Sequence, residues 1–327
     1  MKTGVKGSDV YETTGSLLLD LSVMLTRGLS TEKLEAGMKP ILACNYSFTM
    51  EDLCVLLFQT RNIRGGKGER DLAYEMLGIL HKSEADLCLK LLSLFPHYGC
   101  WRDLFKLGEN VAFTGAVVDL AVEQFAKDRQ ALSTEKGKIS LLAKWAPREK
   151  KGNLAKLLAK RLFIEPVVMS EKMKAYRQMV SSLNKHLETV EITMCDRNFG
   201  SIKPGHVPGR ALQKYRRAFL NQASTWSHGK YMPHAHGQRS TEEDRIQAAE
   251  HFTEHFSKAA KGELLLKGAD TVYPHEVVQA VYHSHDDSEA EKNLRVGQWS
   301  AFVAKAKEGG ALKNCLAMCD FSGSMDG

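Results

Sequence analysis

The sequence has no Cys-x-x-Cys pair, and its seven cysteines (44, 54, 88, 100, 195, 315 and 319) are odd in number and lie mostly in apolar stretches. A disulfide framework is therefore not expected, and a reducing compartment is. Long hydrophobic runs are also missing. The most apolar N-terminal stretch, Ser16–Leu25, is too short to span a bilayer, contains Asp20, and lacks the charged start and small-residue cleavage site of a secretion signal. With 26 glycines and 8 prolines in 327 residues, a collagen-like or low-complexity chain is excluded. Charged residues are 26%, an ordinary globular share that argues against a disordered chain, and the hydrophobic 43% suffices for a substantial core. A soluble, cytoplasmic protein without membrane contact is the expectation.

What is present is helical periodicity. Apolar residues recur at three- and four-residue spacing in Leu17–Leu25, Met50–Phe58, Leu72–Leu80, Leu87–Leu94 and Val117–Phe125. Ser83, Ser170 and Ser240 with Glu243 read as helix starts, the last as a capping box. Short glycine-bearing turns join these segments, so the expected fold is mainly α: an irregular, HEAT-like antiparallel helical array over residues 1–308. Longer loops are expected at Asp196–Pro208 and Ser224–Arg239. After the Gly309-Gly310 break the pattern changes to a short apolar run, Cys315–Cys319, which reads as a buried parallel strand. Residues 309–327 are thus expected to begin a second, α/β domain that the chain does not complete.

The net charge of +6 hides an uneven distribution. Residues 136–185 carry 13 Lys or Arg against three acids, and Lys136–Lys230 as a whole reaches +14, leaving −8 for the rest. Trp145, Tyr176, Tyr215 and Trp226 are interleaved with these cations. Cations supply the salt-dependent attraction to phosphate, and aromatic faces suit base stacking, so this block points to nucleic acid. The candidate contacts are Lys144, Arg148, Lys214, Arg216 and Arg217, with Arg64, Lys67 and Arg70 beside them. The competing reading is a set of solvated helix faces with the aromatics turned inward.

Four motifs remain. Asp320-x-Ser322-x-Ser324 closes the apolar run and offers one carboxylate and two hydroxyls as hard ligands for Mg²⁺. Such an arrangement begins the metal-ion-dependent adhesion site of a von Willebrand A domain. The further ligands, a Thr and an Asp from later loops, are absent here, so the site is expected to be incomplete. Arg64-Gly-Gly-Lys67-Gly-Glu-Arg70 imitates a phosphate loop but fails its spacing and has no Ser or Thr after the Lys. It reads as a tight corner between helices with a basic rim. His251-x-x-Glu254-His255 has the spacing of an inverted zinc-protease helix, with Glu276 as a conceivable third ligand, yet Phe252 and Phe256 alternate with it as in an ordinary amphipathic helix. The histidines at 228, 234, 236, 283 and 285 have no cysteine near enough for a standard zinc site and read as exposed loop residues. No nucleophile elbow or acid–base carboxylate pair is evident.

Five segments together carry a resemblance: Arg61–Arg70, Tyr98–Leu104, Ala143–Glu149, Val207–Ala211 with Lys214–Phe219, and Cys319–Met325. They resemble an uncharacterised family of plants, oomycetes and giant viruses that joins a helical N-terminal region to a C-terminal von Willebrand A-like domain. That family is similar in layout to the TROVE module of the Ro ribonucleoprotein, where a ring of HEAT-like helices binds small noncoding RNA. The resemblance implies a non-enzymatic scaffold with a noncoding RNA as partner. It also implies Mg²⁺ at Asp320, Ser322 and Ser324, where an acidic protein ligand would complete the site. A protein–protein scaffold without RNA is the alternative reading, and a zinc hydrolase built on His251, Glu254 and His255 is a third.

Overall fold

Helices form where the apolar spacing places them, and their ends follow local hydrogen bonding. The computed structural model describes residues 2–3, 9–10, 13–44, 47–133, 137–149, 153–223, 226–227, 230–231, 237–266, 268–269, 272–282 and 287–308. These fall into two compact units divided between Thr189 and Val190, a boundary the helical periodicity does not reveal. Residues 309–327, including the expected strand, lie outside the described residues.

The first unit holds eleven helices among its described residues: α1 (Leu17–Met24), α2 (Thr31–Leu42), α3 (Ser47–Arg61), α4 (Asp71–His81), α5 (Ala85–Leu91), α6 (Phe95–Tyr98), α7 (Trp101–Leu107), α8 (Val111–Leu132), α9 (Leu142–Trp145), α10 (Leu154–Leu162) and α11 (Met169–His186). A two-residue antiparallel ladder, β1 (Lys2–Thr3) with β2 (Asp9–Val10), precedes them. One apolar core runs from Leu21 to Leu183, with Phe95, Phe113 and Phe125 fully buried in it. The short helices and turns between Ala85 and Gly108 bend the chain so that α8 can lie along α10. Gly108 lets the end of α7 lie close to α8, since a Cβ there would stand 2.7 Å from Val117. The α10–α11 turn is apolar and exposed, with Ile164 and Val167 each over four-fifths accessible. Its base is held by Lys172, whose Nζ donates to the carbonyls of Phe163 and Ile164, each at 2.7 Å.

The second unit contains α12 (Val190–Cys195), α13 (Gly209–Phe219), α14 (Glu243–Ala260), α15 (Pro274–Tyr282) and α16 (Glu289–Glu308), with a second two-residue ladder, β3 (Trp226–Ser227) and β4 (Lys230–Tyr231). Phe219 of α13 stacks on Phe252 of α14 with centroids 4.4 Å apart. Along α16, Gly297 removes the bulk that would otherwise clash with Ala259, so α14 and α16 pack closely.

Helix starts shift slightly from the expected positions. Glu84, Val168 and Glu242 are the N-caps, rather than Ser83, Ser170 and Ser240. At Ser240 the hydroxyl accepts from Glu242 N at 3.2 Å, while the backbone N–H that a capping box would give to Glu243 goes to Asn221 Oδ1 at 3.1 Å. A true reciprocal cap sits at α16, where the Ser288 hydroxyl accepts from Glu291 N and the Glu291 carboxylate accepts from Ser288 N.

Candidate nucleic-acid interface

Two of the sequence motifs meet at a buried ion pair in the first unit. Arg61 ends α3 and Asp103 lies in the first turn of α7, with side chains 5% and 0% exposed. Asp103 Oδ2 accepts from Arg61 Nε at 2.8 Å, Arg61 Nη2 at 2.6 Å and Cys100 N at 2.8 Å, and its Oδ1 accepts from Tyr74 OH at 2.6 Å. Burial, then the Asp103 carboxylate, push the Tyr74 phenol far above its ordinary range, so it stays a donor. Gly99 is required here, since a Cβ would come within 2.0 Å of Asp103 Oδ2.

The glycine-rich corner is built onto this pair. Ile63 N donates to Tyr98 O at 3.2 Å and Lys67 N to Gln59 O at 2.9 Å, while Asn62 Oδ1 accepts from Arg64 N at 2.9 Å. Arg64 is exposed and donates to His97 O at 3.0 Å. Lys67 turns back to the carbonyls of Ser22 and Leu25, where desolvation lowers its pKa. Arg70 is exposed and precedes α4 as its N-cap. The corner is therefore a structural joint, and only Arg64 and Arg70 of its three candidate cations point their charge outward.

The second gathering of cations is the segment 137–149, which runs as a strap along α11 in the opposite chain direction. His186 Nε2 lies 3.1 Å from Gly137 O, Asn184 Nδ2 donates to Ala143 O at 3.0 Å, and Tyr176 OH donates to Pro147 O at 3.1 Å. Arg177 pairs with Glu149 beyond it. Within the strap Leu142, Ala143 and Ala146 are buried, whereas Lys138 and Arg148 are exposed and Lys144 is half-exposed. At 100° per residue, Lys174, Arg177 and Lys185 fall within an arc of about 80° on α11, and all three are exposed. Trp145 is half-buried, and the Arg102 guanidinium stands 5.9 Å from its ring centre. Exposed cations thus lie both on the strap and on the helix to which it is bonded. Of these, Lys144 and Arg148 were legible from the sequence. Arg102, Lys138, Lys174, Arg177 and Lys185 emerge only when strap and helix are aligned. Tyr176, which the sequence offers as a stacking aromatic, is 2% exposed and serves as a hydrogen-bond donor instead. Burial pushes its phenol well upward, with Arg148 pulling the other way.

The candidates in the second unit have different tasks. Arg216 Nε donates to the buried Glu291 at 3.0 Å, and Arg217 Nε to Ala223 O at 3.1 Å. Arg216 thus neutralises a buried acid, and Arg217 holds the turn after α13. Lys214 is exposed, with Nζ 4.9 Å from the Tyr215 ring centre. Beside them Arg295 pairs with Asp287, and desolvation, then Arg216, lower its pKa to about 10.

The zinc-helix spacing does not gather ligands. Glu254 pairs with Lys258 at 2.7 Å, while Glu276 accepts from Tyr273 N at 2.8 Å and pairs with Arg210. Among the described residues no group of three His, Cys, Asp or Glu could hold a metal ion. An open groove of 950 Å³ follows one side of α14, lined by Ile246, Glu250, Thr253 and Lys258 among others, and among the described residues no histidine or cysteine lines it. Asp320, Ser322, Ser324 and the histidines at 228, 234, 236, 283 and 285 lie outside the described residues. No described helix is long and apolar enough to cross a membrane.

Comparison with known proteins places the chain near an uncharacterised, giant-virus-related family. A family described as a domain of unknown function (DUF2828) matches residues 109–241, a span that includes the strap and α11. The uncharacterised protein L728 of Acanthamoeba polyphaga mimivirus is 26% identical over 341 residues, covering 98% of this chain and 56% of that protein. The chain therefore spans little more than half the length of that relative. No solved structure matches it.

Proposed function

We propose that this chain is a non-enzymatic RNA-binding scaffold whose contact surface is the strap 137–149 with the adjoining face of α11. The observation that carries the reading is a strap with Lys138, Lys144 and Arg148 accessible on it, bonded along α11, which carries the exposed Lys174 and Lys185, beside the half-buried Trp145. Cations on one face attract phosphate without sequence preference, and each phosphate neutralised steepens the salt dependence. The TROVE-like layout that the sequence motifs resemble agrees with a helical RNA scaffold. The Asp320-x-Ser322-x-Ser324 motif supports a von Willebrand A-like continuation. Its carboxylate and hydroxyls suit Mg²⁺, and an acidic protein ligand would be its partner.

The test is RNA affinity across a salt series, with a structured RNA and a single strand, for the chain and for the triple variant Lys144→Glu, Arg148→Glu, Lys185→Glu. Steeply salt-dependent binding that the variant loses is the expected result. Absence of RNA binding at low salt, with Mg²⁺-dependent binding of an acidic peptide, would replace this reading by a protein–protein scaffold. Arg216 and Arg217 are unsuited as probes, because their replacement disturbs Glu291 and the α13 turn.

A further inference from the structure

The strap has little regular structure of its own. Only the four residues of α9 are helical, and the remainder is irregular. Yet three buried polar side chains from two helices grip it at three points. Asp128 of α8 accepts from Ser140 N at 3.0 Å and Ser140 Oγ at 2.7 Å, and is itself held by Gln124 Nε2 at 2.8 Å. Asn184 donates to Ala143 O and also to Val180 O of its own helix at 2.9 Å. Tyr176 donates to Pro147 O. All three side chains belong to residues no more than 3% exposed, so none can touch a ligand on the surface.

We infer that Asp128, Tyr176 and Asn184 are positioning residues of the basic face: they fix the strap backbone so that Lys138, Lys144 and Arg148 meet the ligand already ordered. The inference rests on the RNA reading above and adds how that face obtains its affinity. A segment of this length left free would be ordered only on binding, and that ordering weakens association without removing any contact. A clamp made before binding avoids the loss. Neutral donors to two backbone carbonyls and one buried carboxylate accepting from a backbone N–H are suited to this, because they fix geometry from beneath the surface.

Positioning and contact predict different signatures. Removing a cation that meets phosphate lowers the slope of log affinity against log salt by about 0.7–0.9. Loosening the clamp leaves every phosphate contact available, so affinity falls while the slope stays. The experiment uses the full chain, a fluorescein-labelled RNA hairpin with single-stranded arms, and a salt series at a temperature where circular dichroism shows each protein folded. Tyr176→Phe removes one hydroxyl and keeps the ring, so it folds even where Asp128→Asn does not. Tyr176→Phe and Asn184→Ala are expected to bind roughly 3- to 10-fold more weakly at unchanged slope, with faster hydrogen exchange confined to the strap. Lys144→Ala is expected to reduce the slope. Clamp variants that exchange faster in the strap yet bind as tightly as the parent would overturn the inference while leaving the RNA reading intact. A parent chain that does not bind this RNA at low salt would overturn both.

Discussion

Replacing Asp103 by Asn tests whether the Arg61 pair holds the first unit together. The substitution keeps the shape of the side chain and removes its charge. Oδ2 now accepts from both Arg61 nitrogens and from Cys100 N, and Oδ1 from Tyr74 OH. An amide offers one acceptor oxygen and two unwanted donors. Either the guanidinium or the phenol then faces an N–H group, and Arg61 remains 5% exposed without a counter-ion. Removing one partner of a buried pair costs about 3–5 kcal/mol, against a whole-domain stability of about 5–15 kcal/mol. Tyr74→Phe provides the scale, since it removes one donor to a charged acceptor and should cost about 1.5–3 kcal/mol. The double variant Arg61→Met, Asp103→Leu should cost less than Asp103→Asn alone, because it leaves no unpaired charge. Urea unfolding followed by circular dichroism measures all four proteins. A loss below about 0.5 kcal/mol for Asp103→Asn, the ordinary range of a surface change, would refute the reasoning.

Three further outcomes follow from the geometry. Gly66→Ala should destabilise the corner by more than the ~1 kcal/mol of a typical substitution, because its Cβ would stand 2.0 Å from the Gln59 carbonyl oxygen; thermal unfolding measures it. Cys195 is exposed and should react with Ellman's reagent in the folded protein, whereas burial pushes Cys88 up to about 12 and should keep it unmodified until urea is added. His255 is half-buried against Gly205, and desolvation holds its pKa below the ordinary value. The unfolded chain therefore binds a proton first, so stability should fall as pH drops below about 6.5. Unfolding curves of His255→Gln should show a weaker pH dependence, and an unchanged profile would remove His255 as its source.

The helices and the site differ in how much of each the sequence reveals. Apolar spacing marks α1, α3, α4 and α8 because each turns a periodic face to the core, and Leu21, Leu57, Met76 and Val117 are buried as that spacing requires. Helix ends are less legible, because a cap is decided by competing partners. Ser240 had the right spacing to Glu243 but its backbone N–H was claimed by Asn221. The division at Thr189 has no composition signal, since α11 and α12 are separated only by Leu187, Glu188 and Thr189. The basic block was visible as a sum of charges, but a sum does not say which cations are free. Arg216 and Lys214 are two residues apart on one helix, and one neutralises a buried acid while the other stands in solvent. That distinction depends on Glu291, which lies 75 residues further on.

The same dependence on distant partners explains why the sequence shows a charge run at the strap and not a placed segment. Lys144 and Arg148 lie within it, but what orients them is the chemistry of Asp128, Tyr176 and Asn184, which looks unremarkable where each occurs. A tyrosine among lysines invites the reading of a stacking platform. Its hydroxyl is instead 3.1 Å from a proline carbonyl, in a turn that has no regular hydrogen-bonded structure. That carbonyl belongs to a half-buried residue, and the hydroxyl supplies it with a donor worth about 0.5–1.5 kcal/mol. The tyrosine is thus held in place by a backbone demand, and the cations beside it inherit their positions from that demand. An irregular segment on a helical scaffold can present charge in a fixed arrangement only if buried polar groups meet its backbone, and here three of them do.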